Sequence, residues 1–320
     1  MIAVTGANGL LGEIIVSRLK ENGEQVIKVV RQPGDEDCRR ADVDDPQALC
    51  AAFEGVQTVV HAAGLVSFNP RRKKELFRTN VEGTANVVNA ALRTGVKNLI
   101  HVSSVAAFPR PVSGEVVTEH TKPADSKANF PSYYGFTKYL AELEAFRGGE
   151  EGLQVAIVNP AVVLAPSLAM RSSARTFEYV LKEKPFYTHA TLNYVDGRDV
   201  AQAIALVLRA MPDGQRFLLC GGNARYIDFF ESVARQLNKR APYVRVGHKL
   251  IWLAAAAEEL RAFALEKEPL ITRPMANSLR KKIVFDASDS MAKLGLQYRS
   301  LEDTVNWCCG FYREHINAKY

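Results

Sequence analysis

The amino-acid sequence predicts a doubly wound α/β fold, in which helices cover both faces of a parallel sheet. Two observations lead to this prediction. Short apolar runs alternate with stretches of helical periodicity up to Pro166, and a glycine turn directly follows the first run. Such alternation implies right-handed crossovers and parallel strands. Beyond Pro166 helical patterns dominate, so we expect a smaller, mostly helical C-terminal cap.

Five apolar runs have the length and composition of strands that are buried on both faces. They cover residues 2–4, 26–30, 58–63, 98–102 and 154–158. Between them, residues 10–19 and 81–92 carry apolar side chains at helical spacing. Gly23 stands where the first helix must stop before the second strand begins.

The C-terminal half mixes helices with short strands. Residues 169–184 have helical spacing, residues 192–195 and 216–220 resemble strands, and helices dominate from Asp228 onward. We expect a sheet domain of residues 1–165 that is completed by 191–223, and a substrate-binding cap of 166–190 and 224–320. The apolar block 250–257 predicts a packed amphipathic helix, with peripheral membrane attachment as the lesser alternative.

The composition limits the classes of function. Lys and Arg number 41 against 35 Asp and Glu, and the net charge of +6 favours anionic ligands. No basic stripe with interleaved aromatic residues points to nucleic acid, and the basic run 71–74 is typical of a solvated helix start. The five cysteines lack the spacing of a metal site. We therefore expect a small-molecule substrate, no metal and a reducing compartment.

The sequence also bears on localisation. A strand begins at Ile2, which leaves no room for a signal peptide, and no run approaches the ~20 apolar residues of a spanning helix. We therefore expect a cytoplasmic protein without a transmembrane segment.

Three glycines, Gly6, Gly9 and Gly12, separate the first strand from the first helix. A dinucleotide site requires this context, because the backbone must approach a pyrophosphate closely and the helix must present its N-terminal NH groups to it. We expect the cofactor to contact the whole turn, which comprises Gly6, Ala7, Asn8, Gly9, Leu10, Leu11 and Gly12.

The end of the second strand indicates which dinucleotide binds. An acidic residue here would bind the ribose hydroxyls of NAD, whereas an arginine accommodates the 2'-phosphate of NADP. The chain has Arg31, and Arg39 and Arg40 can add charge nearby. We therefore predict NADP(H), and the acidic segment 35–37 keeps NAD(H) as the alternative.

Further cofactor contacts are expected at the ends of later strands. Asp42 and Val43 can contact adenine, and the small residues Ala62, Ala63 and Gly64 let the cofactor pass close to the backbone.

Tyr134 and Lys138 stand four residues apart, which is about one helical turn. On a helix both side chains project from one face, and an ammonium close to a phenol favours its ionisation. A tyrosine with a lowered pKa can exchange a proton with a substrate oxygen near neutral pH. Together with the glycine turn, the pair predicts nicotinamide-dependent carbonyl chemistry.

With Ser103 and Ser104 at the end of the fourth strand, the chain resembles an extended short-chain dehydrogenase/reductase, a family with a Rossmann fold. The resemblance covers most of the chain. It rests on residues 5–12, 80–84, 101–104, 134–138, 159–161 and 194–201.

The resemblance implies roles for the matching residues. Tyr134 would be the proton donor or acceptor, and Lys138 would lower its pKa and hold the nicotinamide ribose. Ser104 would orient the carbonyl, with Ser103 as the fallback, and Asn80 would position a helix and relay protons through water. The implied cofactor contacts at this end of the sheet are Ser103, Tyr134, Lys138 and Pro160.

The residues after the serines narrow the choice among the reactions of this family. Dehydratases of this family place an Asp-Glu pair there, whereas Val105 and Ala106 follow Ser104. The pattern is closer to members that resemble dihydroflavonol 4-reductase and 3β-hydroxysteroid dehydrogenase. The resemblance therefore implies a reductase or alcohol dehydrogenase for an apolar, cyclic or aromatic ketone. A nucleotide-sugar epimerase and a non-catalytic NADP-binding sensor or scaffold remain as alternatives.

Aromatic residues near the expected site fit an apolar substrate, although each is also a candidate for core packing. The substrate contacts that we expect are Ser104, Phe68, Phe108, Tyr134 and Phe136. Phe130, Phe186 and Tyr187 are further aromatic residues of this kind. Arg171 and Arg175 can instead clamp a diphosphate, as the epimerase alternative requires. The resemblance also implies a homodimer that pairs the helix of Tyr134 with the helix of Asn80.

Overall fold

The structure is a computed structural model of the chain. It describes residues 1–32, 34, 37–109, 116–122, 130–169, 173–265, 269, 271–273, 276 and 283–316.

A seven-stranded, fully parallel sheet forms the centre of the protein. In spatial order its strands are β11 (Gln215–Leu219), β7 (Gln154–Pro160), β5 (Asn98–Val102), β4 (Thr58–His61), β1 (Ile2–Thr5), β2 (Val26–Val30) and β3 (Cys38–Arg40). The strand order reverses between β1 and β4, which makes the carboxyl ends of these strands the expected ligand crevice. The predicted doubly wound α/β fold is thereby confirmed.

Helices cover both faces of this sheet. They are α1 (Leu10–Glu21), α2 (Pro46–Phe53), α3 (Lys73–Phe77), α4 (Gly83–Arg93), α5 (Tyr133–Glu150) and α7 (Gly197–Ala210). The neighbours Val59 and Val60 show why the strands lack polar alternation. Val59 packs with Phe53 on one face of the sheet, and Val60 packs with Ile15 on the other. Each strand therefore needs apolar side chains at every position.

A second group of elements surrounds a smaller sheet. Its three-stranded sheet contains β8 (Val162–Leu164), β10 (Thr191–Asp196) and β12 (Gly222–Arg225), with β10 parallel to β8 and antiparallel to β12. Against it pack α6 (Ala174–Leu181), α8 (Tyr226–Leu237) and a C-terminal helix, α11 (Leu301–Ile316). Phe177, Phe229 and Tyr312 form the aromatic centre of this cluster.

The remaining elements are short pairs and peripheral helices. β6 (Val116–Val117) pairs with β14 (Val284–Phe285), and β9 (Phe186–Tyr187) pairs with β13 (Val244–Arg245). The helices are α9 (His248–Ala264) and α10 (Ser288–Leu294). The small sheet joins one strand from before residue 165 to two strands from the 191–225 region. The predicted domain limits stay predictions.

Two helices differ from their predicted form. The helix expected at 169–184 is confined to Ala174–Leu181 among the described residues. The helix expected at 81–92 begins as a wider π-helical turn, Arg78–Glu82, which continues into α4. This turn carries the buried Asn80.

Helix α9 contains the apolar block 250–257, and it is apolar on two faces. Ile251 is 8% exposed and packs with Ala255, whereas Leu253 and Leu260 on the opposite side are 59% and 70% exposed. The prediction of a packed amphipathic helix therefore holds for one face only. No helix in the described part of the chain is long and apolar enough to span a membrane.

Candidate active site

The predicted site residues converge at the carboxyl ends of β1, β4 and β5. β1 leads into the glycine turn, β4 into the segment Ala62 to Gly64, and β5 into Ser103 and Ser104. Since parallel strands bring these ends to one edge of the sheet, three separate sequence motifs share one crevice. The first turn of α5 adds Tyr134 to the same place.

The glycine turn is shaped so that side chains would not fit. Gly6 has a φ of +68°, and a Cβ there would lie 2.7 Å from the backbone of Ala63. A Cβ at Gly12 would overlap the carbonyl oxygen of Gly6. The turn and the end of β4 are therefore packed backbone against backbone, which brings main-chain NH groups to the crevice.

The N-terminus of α1 has the form that a pyrophosphate requires. Its N-cap is Gly9, and no side chain caps the first turn. By contrast, Asp45 caps α2, Ser132 caps α5 and Asp196 caps α7 through side-chain oxygens. Within the turn Ala7 is buried, Asn8 and Gly9 are exposed, and Leu10 and Leu11 are half-buried. The open first turn fits the phosphates of a dinucleotide.

The charged residues that follow β2 differ in whether they form ion pairs or hydrogen bonds within the protein. Arg31 is exposed there. Asp37 lies 2.6 Å from the ammonium of Lys20, which lowers the pKa of this carboxyl. The guanidinium of Arg39 donates to the carbonyl oxygens of Ala52 and Glu54 at 2.9 and 2.7 Å. Asp35 and Glu36 lie outside the described residues. Arg31 is therefore free of the contacts that engage Arg39, and its contact with a ribose phosphate stays a prediction.

The two predicted adenine contacts take part in local structure. The carboxylate of Asp42 accepts a hydrogen bond from the backbone NH of Asp44. Val43 is buried, and a Cβ on Gly83 would meet its side chain. The carbonyl oxygen of Val43 also accepts from the amide of Asn86 at 2.9 Å. The adenine contacts of Asp42 and Val43 stay predictions.

Tyr134, Ser104 and Lys138 lie together at the start of α5. The N-cap Ser132 accepts a hydrogen bond from the NH of Gly135 at 3.0 Å, and a Cβ on Gly135 would overlap the carbonyl oxygen of Ala106. This close approach brings the helix against the loop of Ser104, whose side chain hydrogen-bonds with Tyr134. One turn further, Lys138 donates to the carbonyl oxygen of Val102 at 2.9 Å.

The pKa of Tyr134 moves in the direction opposite to our expectation. Burial raises the pKa of the phenol, and the hydrogen bond with Ser104 offsets part of this change. Lys138 directs its ammonium at the carbonyl of Val102, and burial lowers the pKa of Lys138 to about 8. For Tyr134, desolvation therefore outweighs the effect of the hydrogen bond with Ser104.

Asn80 fixes the geometry around α5. Its amide donates to the carbonyl oxygen of Leu65 at 3.0 Å and to the hydroxyl of Thr137 at 3.1 Å. Its own oxygen accepts from the NH of Leu65 at 2.7 Å. Asn80 thus connects the loop after β4 with the helix of Tyr134, and the role that the resemblance implies for it stays a prediction.

Sequence reasoning missed a group of buried polar residues behind Lys138. His61 and His101 are adjacent, with ring centroids 5.3 Å apart, and His101 Nε2 lies 3.5 Å from the ammonium of Lys138. The hydroxyls of Thr5 and Thr84 bond the two ring nitrogens of His61 at 2.7 and 3.1 Å. Burial lowers the pKa of His61 to about 3 and that of His101 well below its usual value.

The second part of this group surrounds Glu142, which stands four residues after Lys138. Glu142 Oε1 accepts from the hydroxyl of Ser103 at 2.5 Å and from the amide of Asn159 at 2.6 Å. Its other oxygen lies 2.9 Å from the guanidinium of Arg216. Ser103 is thus engaged behind the crevice, and Ser104 is the serine that meets Tyr134. Extending the Tyr-Lys spacing by one more turn would have revealed Glu142.

The aromatic residues divide into two groups. Phe68 is 39% exposed, and its ring centroid lies 6.1 Å from that of Tyr134 in an edge-to-face arrangement. Phe136 is half-buried, 5.6 Å from Phe130. Phe108 is 2% exposed and lies beneath Arg216, with 4.3 Å between guanidinium and ring. The expectation that Phe108 contacts substrate is therefore wrong, since its ring is part of the core.

Other predicted groups lie elsewhere. Phe186 and Tyr187 form β9, Arg175 is exposed in the first turn of α6, and Arg171 lies outside the described residues. The residues that the structure describes hold no cluster of three or more side chains suited to a metal ion.

Sequence comparison relates the chain to a family of known enzymes. The model of the NAD dependent epimerase/dehydratase family matches residues 2–220. Cinnamoyl-CoA reductase 1 of Oryza sativa subsp. japonica is 32% identical over 265 residues, which cover 76% of this chain and 77% of its own length. A protein of Synechocystis sp. that is named as a dihydroflavonol 4-reductase is 27% identical over 322 residues, which cover 95% of this chain and 93% of its own length.

Solved structures share the fold over the whole chain. The crystal structure of gox2253 superposes with a TM-score of 0.84 at 28% identity and covers 99% of this chain and 98% of its own. MoeE5 in complex with UDP-glucuronic acid and NAD superposes with a TM-score of 0.76 at 19% identity and covers 98% of this chain and 99% of its own. At the latter identity the likeness concerns the fold alone.

Proposed function

The chain belongs to the NAD-dependent epimerase/dehydratase family and is an extended short-chain dehydrogenase/reductase, and from this premise we propose that it reduces an apolar carbonyl compound with NADPH. The observation that carries the proposal is the hydrogen bond between Ser104 and Tyr134, with Lys138 one helical turn away. A phenol, a hydroxyl and an ammonium at the mouth of a dinucleotide crevice form an acid-base centre for a carbonyl oxygen.

The roles of the three side chains follow from their positions. When bound, the cofactor supplies a hydride to the carbonyl carbon. Tyr134 donates its proton to the carbonyl oxygen, and its raised pKa keeps that proton in place near neutral pH. Ser104 holds the oxygen beside the phenol. The ammonium of Lys138 stabilises the phenolate that remains after proton transfer.

The cofactor preference rests on charge near the end of β2. Arg31 is exposed where a ribose phosphate would lie, and Lys20 neutralises Asp37. Both features favour NADP(H) over NAD(H). The open turn of α1 and the close-packed glycines fit the pyrophosphate of either cofactor.

The nature of the substrate is inferred from the side chains around Tyr134. Phe68 and Val66 are exposed in the loop after β4, and Phe68 contacts Tyr134. These apolar surfaces suit an aromatic or cyclic carbonyl compound. The names of the relatives agree with a reductase and suggest two carbonyl types, the ketone of a dihydroflavonol and the thioester of a cinnamoyl-CoA.

A substrate panel tests the proposal. NADPH oxidation should be measured with aryl and steroid-like ketones, an aryl-CoA thioester and a UDP-sugar, with NADH in parallel. We expect turnover with at least one ketone or thioester. Binding of the UDP-sugar without carbonyl reduction would instead favour a nucleotide-sugar epimerase. Tight cofactor binding with no turnover in any arm would favour a sensor or scaffold protein.

We also propose a homodimer, as the family resemblance implies. Helices α4 and α5 pack on each other, and Leu143 on α5 is exposed. Analytical ultracentrifugation of the wild type should show a dimer, and a monomer at micromolar concentration would contradict it.

A further inference from the structure

Glu142 is a buried acid for which the reaction proposed above has no direct use. Its side chain is 1% exposed, and it lies one helical turn beyond Lys138 on α5. An ionised carboxylate is costly to bury unless it is paired and hydrogen-bonded. Its surroundings meet that condition, because each of its contacts comes from a donor, namely Ser103, Asn159 and Arg216. Burial raises the pKa of Glu142, and the contacts with its three donors oppose that change. A set of three donors and no acceptor therefore favours the ionised carboxylate against the effect of burial.

The three donors come from three neighbouring strands. Ser103 directly follows β5, Asn159 belongs to β7, and Arg216 belongs to β11. Glu142 therefore ties the helix of Tyr134 to the edge of the sheet. Arg216 is itself fixed, since its guanidinium lies on the buried ring of Phe108.

The charges that face Lys138 come from every element around it. β4 and β5 contribute His61 and His101, whose lowered pKa values keep both rings neutral near pH 7. Helix α5 contributes Tyr134, which keeps its proton, and Glu142. In the described part of the chain, Glu142 is the acid whose charge opposes the loss of the proton from Lys138.

We propose that Glu142, anchored by Arg216, is a positioning residue that keeps Lys138 in its ammonium form and fixes α5 against the sheet. The proposal rests on the proposed function for its consequence in catalysis, because an ammonium at Lys138 is what stabilises the phenolate of Tyr134. The protonation state of Lys138 itself can be measured without any substrate.

The test compares Glu142→Gln with a matched substitution on the same helix, Glu144→Gln. Glu144 is paired with Arg147 at 2.9 Å but faces the surface, where such pairs contribute little. NMR titration of isotope-labelled lysine side chains gives the pKa of Lys138, and Lys138→Arg identifies its signal. We expect Glu142→Gln to lower the pKa of Lys138 by about one unit and Glu144→Gln to leave it unchanged. An unchanged pKa in Glu142→Gln would overturn the proposal.

A second variant separates positioning from simple loss of stability. Glu142→Gln leaves the guanidinium of Arg216 unpaired, whereas Glu142→Gln combined with Arg216→Met removes both charges. We expect the double variant to regain thermal stability while the pKa of Lys138 remains below that of the wild type. A complete return to the wild-type pKa would show that only the unpaired arginine mattered, and the proposal would fail.

The effect on catalysis is measured separately from the NMR titration. If the wild type reduces a carbonyl compound, the alkaline limb of its kcat/KM profile should move to lower pH in Glu142→Gln, with kcat/KM about fivefold lower near pH 8. A wild type without reductase activity would contradict the proposed function and leave the NMR comparison valid.

Discussion

The polar cluster around Lys138 and helix α9 reverse the usual distribution of side chains in opposite ways. In the cluster, His61, His101, Lys138 and Glu142 are buried. On α9, Leu253 and Leu260 are exposed. The buried polar groups have specific partners, and they lie where the proposed chemistry needs a low dielectric constant. Helical spacing therefore predicts a helix but does not determine what each face of it contacts.

Substitution of Tyr134 tests the buried polar cluster and should cause the greatest loss. Tyr134→Phe removes the proton that the substrate oxygen receives, so kcat should fall by about 10³-fold or more. Cofactor affinity, measured by fluorescence titration, should change little. Tyr133→Phe is the matched control, since Tyr133 is the adjacent tyrosine and lies close to Lys73 instead. Full activity of Tyr134→Phe would remove the phenol from the mechanism.

The apolar side can be tested by truncating the two faces of α9. Ile251→Ala on the inner face should lower the free energy of unfolding by about 2 kcal/mol, because it leaves a cavity. Leu253→Ala on the outer face should change it by less than about 0.5 kcal/mol. Urea denaturation measures both. Equal losses of unfolding free energy in the two variants would mean that the outer face of α9 is covered in solution. Helix α9 would then no longer contrast with the polar cluster around Lys138.

Acid stability provides the third test. In the unfolded chain His61 has its ordinary pKa of 6.5. In the folded protein, burial lowers the pKa of His61 to about 3. Stability should therefore fall as the pH drops below about 6.5, and the contribution of His61 at about pH 5 is a loss of roughly 2 kcal/mol. Denaturant unfolding between pH 7 and 5 should show a shallower dependence in His61→Gln. An identical dependence would contradict a buried, neutral His61.

The smallest change in binding is expected for Arg31, whose charge is exposed to solvent. Arg31→Ala should weaken NADPH binding by about tenfold and leave NADH binding nearly unchanged, as expected for the loss of one contact to a phosphate. Dissociation constants for both cofactors measure this preference. An unchanged ratio of the two constants would exclude Arg31 as the residue that selects the phosphate.

Much of this architecture could be predicted from local patterns. The runs at 98–102 and 154–158 are strands because buried parallel strands are continuously apolar, and the spacing of Tyr134 and Lys138 placed both on one helix. The Ser104 contact followed from the rule that parallel strands end at one edge. Each of these inferences depends on neighbours in sequence or on a general rule of topology.

The features that were missed depend on tertiary contacts. The raised pKa of Tyr134 results from desolvation, which no spacing reveals. Phe108 follows a strand just as a pocket residue would, yet Arg216 from a distant strand covers its ring. The π-helical turn of Asn80 is accompanied by side-chain bonds to Leu65, a residue whose position could not be predicted from the local pattern.

The attachment of Glu142 to Arg216 has a consequence for biosynthesis. Because β11 is the outermost strand of the large sheet and is made long after α5, a nascent chain emerging from the ribosome holds Glu142 without its counterion until β11 has been translated. The catalytic centre is therefore completed late, when the last strand joins the sheet. Ribosome-stalled fragments that end before residue 215 should lack the ion pair between Glu142 and Arg216.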